Sequence, residues 1–340
     1  VPLVVAPSAL ADHEREKPTV TLSGKRVFIT GGAGFIGSTL AGRLVDDNEV
    51  VLFDNLARNS LQHRPWADHP NLRLVTGDIL DEAAVRDAMA GATHVVHCAA
   101  IAGIDTVIRS PVRTMEVNMV GSANVLRVAA ALGGLERVVC FSTSEVFGSR
   151  AFRSEESSDV TIGAAGEARW TYAVSKLAEE HLAIAYHREV GLPVVCVRPF
   201  NVYGPGQVGE GALAVFVQRA LQDQPITIHG DGTQIRAWCY VDDMVRAVER
   251  CLETPAAVGE SFNIGNQRAV VTIYGLASTV VRVLGSRSTI SFVDRLSADV
   301  ELRIPHVAKA RDLLGFEAEV DLDEGIERTG EYFRSLLGSR

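Results

Sequence analysis

The chain predicts an α/β protein, a doubly wound parallel sheet followed by a smaller C-terminal unit. Three observations predict it. From Gly24 to Pro199, short apolar runs alternate with helical patterns. Those runs are apolar throughout rather than every second residue, as in strands covered on both faces. After Pro199 the rhythm gives way to the Gly-rich stretch NVYGPGQVGEGA and to shorter elements.

In order, KRVFIT (25–30) reads as a buried strand, 34–45 as a helix and EVVLFD (49–54) as a second strand. Residues 72–76 form a third strand, and 81–89 a helix opened by Asp81, whose side chain caps free N–H groups. THVVHCAA (93–100) is a fourth strand, 117–132 a helix and RVVCFST (137–143) a fifth strand. Residues 171–190 make a long helix and PVVCVRP (193–199) a sixth strand. Beyond it, PITIHGDG (225–232) and a helix near 242–253 stand out. The expected organisation is a mobile arm over 1–23 and a first domain over 24–199, with 236–266 returning to it. A second domain is expected from 200–235 and 267–340.

Composition bounds the function. The 340 residues are 47% hydrophobic and 22% charged, ordinary for a globular protein and far from a disordered or collagen-like chain. Lys and Arg number 33 against 42 Asp and Glu, a net charge of −9. That balance is poorly suited to a nucleic-acid backbone, so no nucleic-acid partner is expected. The five cysteines are odd in number and lack metal or redox spacing, so no metal and a reducing cytoplasmic compartment are expected. No apolar run reaches the length of a membrane span. The stretch VPLVVAPSALA lacks the initial Met and basic residues of a secretory signal.

Ligands of doubly wound sheets bind beyond the carboxyl ends of the strands, and that is where the informative residues fall. Strand KRVFIT runs into GGAGFIG and then a helix. Gly31 allows the tight turn, Gly34 lets backbone approach a pyrophosphate, and Gly37 lets helix and strand pack closely. The helix N-terminus then offers its N–H groups to phosphates. Asp54 ends the second strand, 23 residues after Gly31. A carboxylate there accepts from a ribose 2′-OH and repels a 2′-phosphate, which favours NAD over NADP; Arg58 nearby weakens that preference. Asp78 bonds an adenine amine or caps a turn. Ala99 and Ala100 suit either a passing cofactor or plain packing.

YAVSK places Tyr172 and Lys176 four residues apart, on one face of a helix. An ammonium beside a phenol stabilises the phenolate and lowers its pKa. A phenol so tuned can take a proton from a sugar hydroxyl while hydride leaves the same carbon.

With TGGAGFIG, Asp54, GDIL, HCAA, STSEVFG, YAVSK, RPFNVYGP and GDGTQIRAWCYVDD on the page, the chain resembles the extended short-chain dehydrogenase/reductases. More narrowly, it resembles their nucleotide-sugar epimerase/dehydratase group, whose first domain is a Rossmann fold. The motifs span residues 27–243, and LLGFEAEVDLDEGIERT near the C-terminus also looks familiar. The resemblance implies Tyr172 as general base and Lys176 as its partner, which also holds the nicotinamide ribose. Thr143 would bond the sugar O4. Phe35, Ile36, Asn55, Ile79 and Asn118 are expected along the same cofactor, Asn201 on the diphosphate or sugar, and Arg236 and Arg295 on phosphate. It also implies a UDP-sugar substrate and a homodimer, built on helices 117–132 and 171–190.

Which reaction follows C4 oxidation depends on neighbouring groups. Residues 143–145 are Thr-Ser-Glu. Many dTDP-glucose dehydratases carry Asp where Ser144 stands, which counts against a 4,6-dehydratase. Decarboxylases of UDP-glucuronic acid share Thr-Ser-Glu, but the Cys-Tyr-Asp-Glu-Gly-Lys segment of UDP-xylose synthases is absent. Simple 4-epimerases usually carry Ser or Ala where Glu145 stands; Glu145 is either a C5 base or a structural carboxylate. Arg169 meets a uronate carboxylate or lies on the surface. The reading is an NAD-dependent UDP-sugar 4-epimerase, acting first on UDP-glucuronic acid. The alternatives are UDP-glucuronate decarboxylase, then 4,6-dehydratase.

Overall fold

The computed structural model describes residues 22–294 and 300–338. The expectation of a mobile arm, but for its last two residues, and that for Arg295 lie outside the described residues.

Seven strands form the central sheet: β1 (Arg26–Thr30), β2 (Glu49–Asp54), β3 (Leu72–Thr76), β4 (His94–His97), β5 (Arg137–Phe141), β6 (Val194–Pro199) and β7 (Ser261–Ile264). Their order is β7-β6-β5-β4-β1-β2-β3, and every neighbouring pair is parallel. The apolar runs are explained by burial on both faces. Val27, Phe28 and Ile29 of β1 and Val194, Val195, Cys196 and Val197 of β6 are fully buried. Each such side chain contributes roughly 1.5–3 kcal/mol to burial. The edge strand β3 is more exposed and carries Arg73 among its apolar residues.

Helices cover both faces. The helix Phe35–Leu44 follows β1 directly, and Asp81 caps Glu82–Met89 by accepting from the Ala84 N–H at 3.1 Å. The long helix Thr171–Val190 stops at Gly191, whose positive φ lets the chain turn away. It is tied to the sheet by Arg198 on β6, which donates through two nitrogens to Glu180 at 2.8–3.1 Å. Ser261 of β7 donates to the same carboxylate at 2.6 Å.

Where the sequence reads one helix over 117–132, the chain forms a π-helical segment, Glu116–Gly121, and then an α-helix, Ser122–Leu132. The widened turn turns Asn118 inward. Its carboxamide accepts from the Ile101 N–H at 2.8 Å and donates to the Ile101 carbonyl at 3.1 Å and to the Ser175 hydroxyl at 3.0 Å.

A second, four-stranded sheet is assembled from distant segments in the order Val270–Thr272, Ile235–Ala237, Leu302–Pro305, Arg150–Ser154. It therefore takes one strand from within 24–199. Two short ladders, Val202–Tyr203 with Cys239–Tyr240 and Ile226–His229 with Ile290–Val293, complete this side of the molecule. No helix among the described residues is long and apolar enough to cross a membrane.

Candidate active site

The strand order reverses between β1 and β4, and the crevice beyond their carboxyl ends is the expected binding place in such a sheet. A cleft of about 730 Å³ opens there. Along one half it is lined by Gly31, Gly34, Phe35, Ile36 and Gly37 of the glycine turn. Asp54, Asn55, Asp78, Ile79, Ala99 and Ala100, at the ends of β2, β3 and β4, line it too.

The turn is built for a close approach. Gly31 has φ +65°, and a Cβ there would meet the Ala99 nitrogen at 2.7 Å. A Cβ on Gly37 would meet the Gly31 carbonyl at 2.5 Å, whereas one on Gly34 would meet only that carbonyl, at 3.1 Å. The backbone at Gly34 is thus open to the cleft, beside the start of a ten-residue helix. Asp54 braces this cradle by accepting from the Ala33 N–H at 3.0 Å and the Leu56 N–H at 2.7 Å. Burial still holds its carboxyl above the usual range, against those backbone donors. A dinucleotide pyrophosphate fits this cradle, and Asp54 lies beside it at the end of β2. Asp78 accepts from Leu80 N–H at 3.0 Å and pairs with Arg113 at 2.9 Å.

Thr143, Ser144, Glu145, Arg169, Tyr172, Lys176 and Asn201 line the other half. The Thr143 hydroxyl lies beside the Tyr172 phenol and favours its charged form, and it accepts from the Glu145 N–H at 3.2 Å. Lys176 is 1% exposed and pairs with Glu179, one turn further along the helix. The expectation of a lowered phenol pKa needs correction: burial, joined by the nearby Glu145 and Glu179 charges, lifts Tyr172 above its usual value, against the pull of Lys176 and Thr143. Lys176 is itself held above its usual value; burial opposes its charge, but Glu179 and Tyr172 outweigh it.

Glu145 is embedded in arginines. Arg169 donates to it at 2.6 Å and Arg303 at 3.5 Å, and both lie on the cleft wall. Burial opposes the Glu145 charge, but Arg303, Arg169 and Arg236 outweigh burial and hold its pKa below the usual range.

Two expected ligands are engaged by the protein's own backbone. Asn118 is fully buried behind the cleft wall, with its carboxamide spent on Ile101 and Ser175, so it props the cofactor-side loop rather than facing the cavity. Arg236 is also buried off the cleft wall and donates to the Ile235 carbonyl at 3.1 Å and to the Val300 carbonyl. Asn201 keeps its place, with φ +37° and its Nδ2 donating to the Ala237 carbonyl at 2.8 Å. Arg303 and Glu179 were not anticipated. Only the intrusion of a charge into LRIP, and of a second Glu into SKLAEE, signals them.

The loop 204–211 crosses the mouth of the cleft. Glu210 accepts from the Thr106 hydroxyl at 2.5 Å and the Asp105 N–H at 2.8 Å. Arg64 donates to the Pro205 carbonyl at 2.9 Å and Ser60 to the Gly206 carbonyl at 2.6 Å. Among the described residues, no cluster of His, Cys, Asp or Glu is placed to hold a metal ion.

Comparison with known proteins agrees with this geometry. Residues 27–265 match the model of the NAD dependent epimerase/dehydratase family. The UDP-N-acetyl-alpha-D-glucosaminuronate decarboxylase of Bacillus cytotoxicus is 33% identical over 322 residues, covering 92% of this chain and 98% of the relative. UDP-glucuronic acid decarboxylase 6 of Arabidopsis thaliana is 33% identical, covering 93% and 91%. The solved UDP-glucuronic acid 4-epimerase from Bacillus cereus, in complex with UDP-glucuronic acid and NAD, superposes with a TM-score of 0.84. It is 28% identical, with 92% of this chain and 99% of that chain covered. With the glycine cradle, Asp54 at the end of β2 and a Tyr-Lys helix across one cleft, the chain belongs to the NAD-dependent epimerase/dehydratase family, enzymes that act with bound NAD.

Proposed function

We propose that this enzyme oxidises C4 of a UDP-linked uronic acid and then releases the C6 carboxylate as carbon dioxide, leaving a UDP-pentose. The observation that carries this reading is Glu145, a carboxylate on the sugar side of the cleft that pairs with Arg169 at 2.6 Å and Arg303 at 3.5 Å beside Tyr172. Arg169 and Arg303 also line the cleft, and guanidiniums there suit a sugar that is itself an anion. The relatives named decarboxylases, matched over nearly their whole length, support the same reading.

In this mechanism Tyr172 takes the proton of the C4 hydroxyl, with Thr143 holding the sugar oxygen and Lys176 stabilising the phenolate. NAD, which the glycine turn and Asp54 would hold, would supply the hydride acceptor for oxidation at C4 and the hydride for the later reduction. The oxidised sugar is a β-keto acid. The C5–C6 electron pair moves towards C5 and the C4 oxygen as carbon dioxide leaves. Tyr172 and Lys176 face the charge that develops on that oxygen. C5 then takes up a proton, and Tyr172 returns its proton to the C4 oxygen as the carbonyl is reduced.

The second reading is 4-epimerisation of the same uronate, the first expectation from the sequence. The likeness to the Bacillus cereus 4-epimerase favours it. It requires the carboxylate to be retained while the keto sugar turns over. A 4,6-dehydratase is disfavoured, because Ser144 stands where that chemistry wants an acid.

We further propose that the second domain grips the UDP moiety, with Asn201 on the sugar or diphosphate. We also propose that the enzyme is a homodimer and that its five unpaired cysteines belong to a reducing, cytoplasmic compartment. Proton NMR of the enzyme with UDP-glucuronic acid and catalytic NAD tests the reaction. A pentose anomeric signal with release of carbon dioxide is expected. A galacto-configured product with all carbon retained establishes the epimerase instead. Inertness towards UDP-glucuronic acid and UDP-N-acetylglucosaminuronic acid, with turnover of UDP-glucose, overturns the uronate assignment.

A further inference from the structure

We infer that Glu179 is a positioning residue for the Tyr172–Lys176 pair, a buried carboxylate that anchors the Lys176 ammonium and limits how much of its charge reaches the phenol. The inference rests on the reading of Tyr172 as the base.

Glu179 is 1% exposed, and Lys176 is buried beside it. The two pair across one helical turn. The Ser122 hydroxyl contacts the same Glu179 oxygen at 2.9 Å, the Asn118 carbonyl at 2.5 Å and His97 Nε2 at 2.8 Å. The other ring nitrogen of His97 meets the Thr30 hydroxyl at 2.6 Å. Thr30, His97, Ser122 and Glu179 thus form a line of polar groups from β1 through β4 to the Tyr-Lys helix, sealed from solvent. Glu179 Oε1 is buried with no hydrogen-bond partner. Burial holds the Glu179 carboxyl above the usual range, against the pull of the Lys176 ammonium and the Ser122 hydroxyl, so its charge depends on that ammonium.

The groups around Glu179 identify it as the one acid beside Lys176 able to do this. On its own helix are Lys176, Tyr172 and Glu180, and Glu180 is committed to Arg198 and Ser261. From β4 come His97 and Cys98, from β5 Cys140 and from β6 Cys196; burial disfavours charge on all four. Glu145 faces Tyr172 from the cleft side. An ammonium that is half-neutralised from behind stabilises a phenolate less than a bare one, while its position at the cleft floor becomes fixed.

The test compares the pH dependence of kcat/KM for the wild type and Glu179→Gln, both saturated with NAD. Glutamine keeps an acceptor for Lys176 and removes the charge. The acidic limb, set by loss of the Tyr172 proton, is expected to move to lower pH by about one unit, a tenfold gain at low pH. A residue that only fills space would change kcat or thermal stability and leave the limb in place. An unmoved limb, or one displaced to higher pH, overturns the proposal. Should the glutamine variant fail to fold, Glu179→Asp is read in the same way: withdrawing the carboxylate moves the limb down by less, and an unmoved limb is again decisive against it. Tyr172→Phe separates the two failures. Turnover retained in that variant, with NAD still bound, sinks the assignment of the base rather than the role of Glu179.

Discussion

At the scale of single residues, buried titratable groups make stability depend on pH in two overlapping ranges. Burial holds His97 down to about 3 and His94 down to about 4, whereas an unfolded histidine titrates near 6.5. The unfolded chain therefore binds more protons below about 6.5, and stability falls as the pH drops from there, by up to ~1.4 kcal/mol per pH unit per histidine. Glu145 and Glu180 behave differently. Their folded pKa values lie below the ordinary carboxylate range, through Arg303 and Arg169 for the first and Arg198 for the second, although burial opposes both. Their contribution is complete above the ordinary value of about 4.5 and is lost as pH falls through the folded value. Glu145→Gln is expected to lose about 2 kcal/mol at neutral pH, by removing the anion to which Arg169 and Arg303 donate. Its thermal melts should show a shallower decline below pH 4.5 and an unchanged decline above it. Melts that parallel the wild type throughout would mean that Glu145 is not held as an anion. Such couplings are hard to read from sequence. Tyr172 and Lys176 are legible because one helix sets their spacing, whereas Arg303 reaches Glu145 across 158 residues of chain.

At the scale of elements, legibility follows length and burial. β1, β2, β5 and β6 are continuous apolar runs because both faces are covered, so pattern alone locates them, and their carboxyl ends locate the cleft. The second sheet has strands of three to five residues drawn from four separate segments, too short to show a period. The π-helical segment at Glu116–Gly121 is equally silent, since what shifts the helix is a distant partner, the Ile101 backbone. The glycine turn is the opposite case, with its purpose in its spacing, and it yields a contrast of two variants. Gly37→Ala drives a Cβ against the Gly31 carbonyl at 2.5 Å and the Gly32 Cα at 2.8 Å, both backbone atoms that cannot swing aside. The helix must shift, and NAD affinity measured by calorimetry should fall at least about tenfold, with a lower melting temperature even without NAD. Gly34→Ala meets one atom at 3.1 Å, so its melting temperature without NAD should stay near the wild type while NAD affinity still falls. Equal melting losses in both variants would contradict this division of labour within the turn.

At the scale of the whole molecule, the surface carries one feature that the fold does not consume. Val112, Met119, Val120 and Val174 are exposed, Val112 by 71% and Val120 by 51%. They belong to Pro111–Met115, the π-helical segment and the Tyr-Lys helix, three elements that pack on one another. Scattered apolar residues need no explanation, but exposed ones gathered on adjoining helices fit an interface. A second copy is the expected occupant, since identical helices brought together across a two-fold axis bury the same patch twice. The consequence reaches the site, because the same π-helical segment holds Asn118 against Ile101 and Ser175 beside Lys176. Association should therefore stabilise the active-site wall, with a melting temperature that rises with protein concentration. Small-angle scattering at micromolar concentration should give twice the mass of one chain. Val120→Glu, which places a charge in the centre of the patch, should give a single chain whose melting temperature is lower and independent of concentration. It should still bind NAD, because Val120 is not among the residues lining the cleft. A wild-type chain that scatters as a monomer would remove the dimer, and with it the reason for these valines to be exposed.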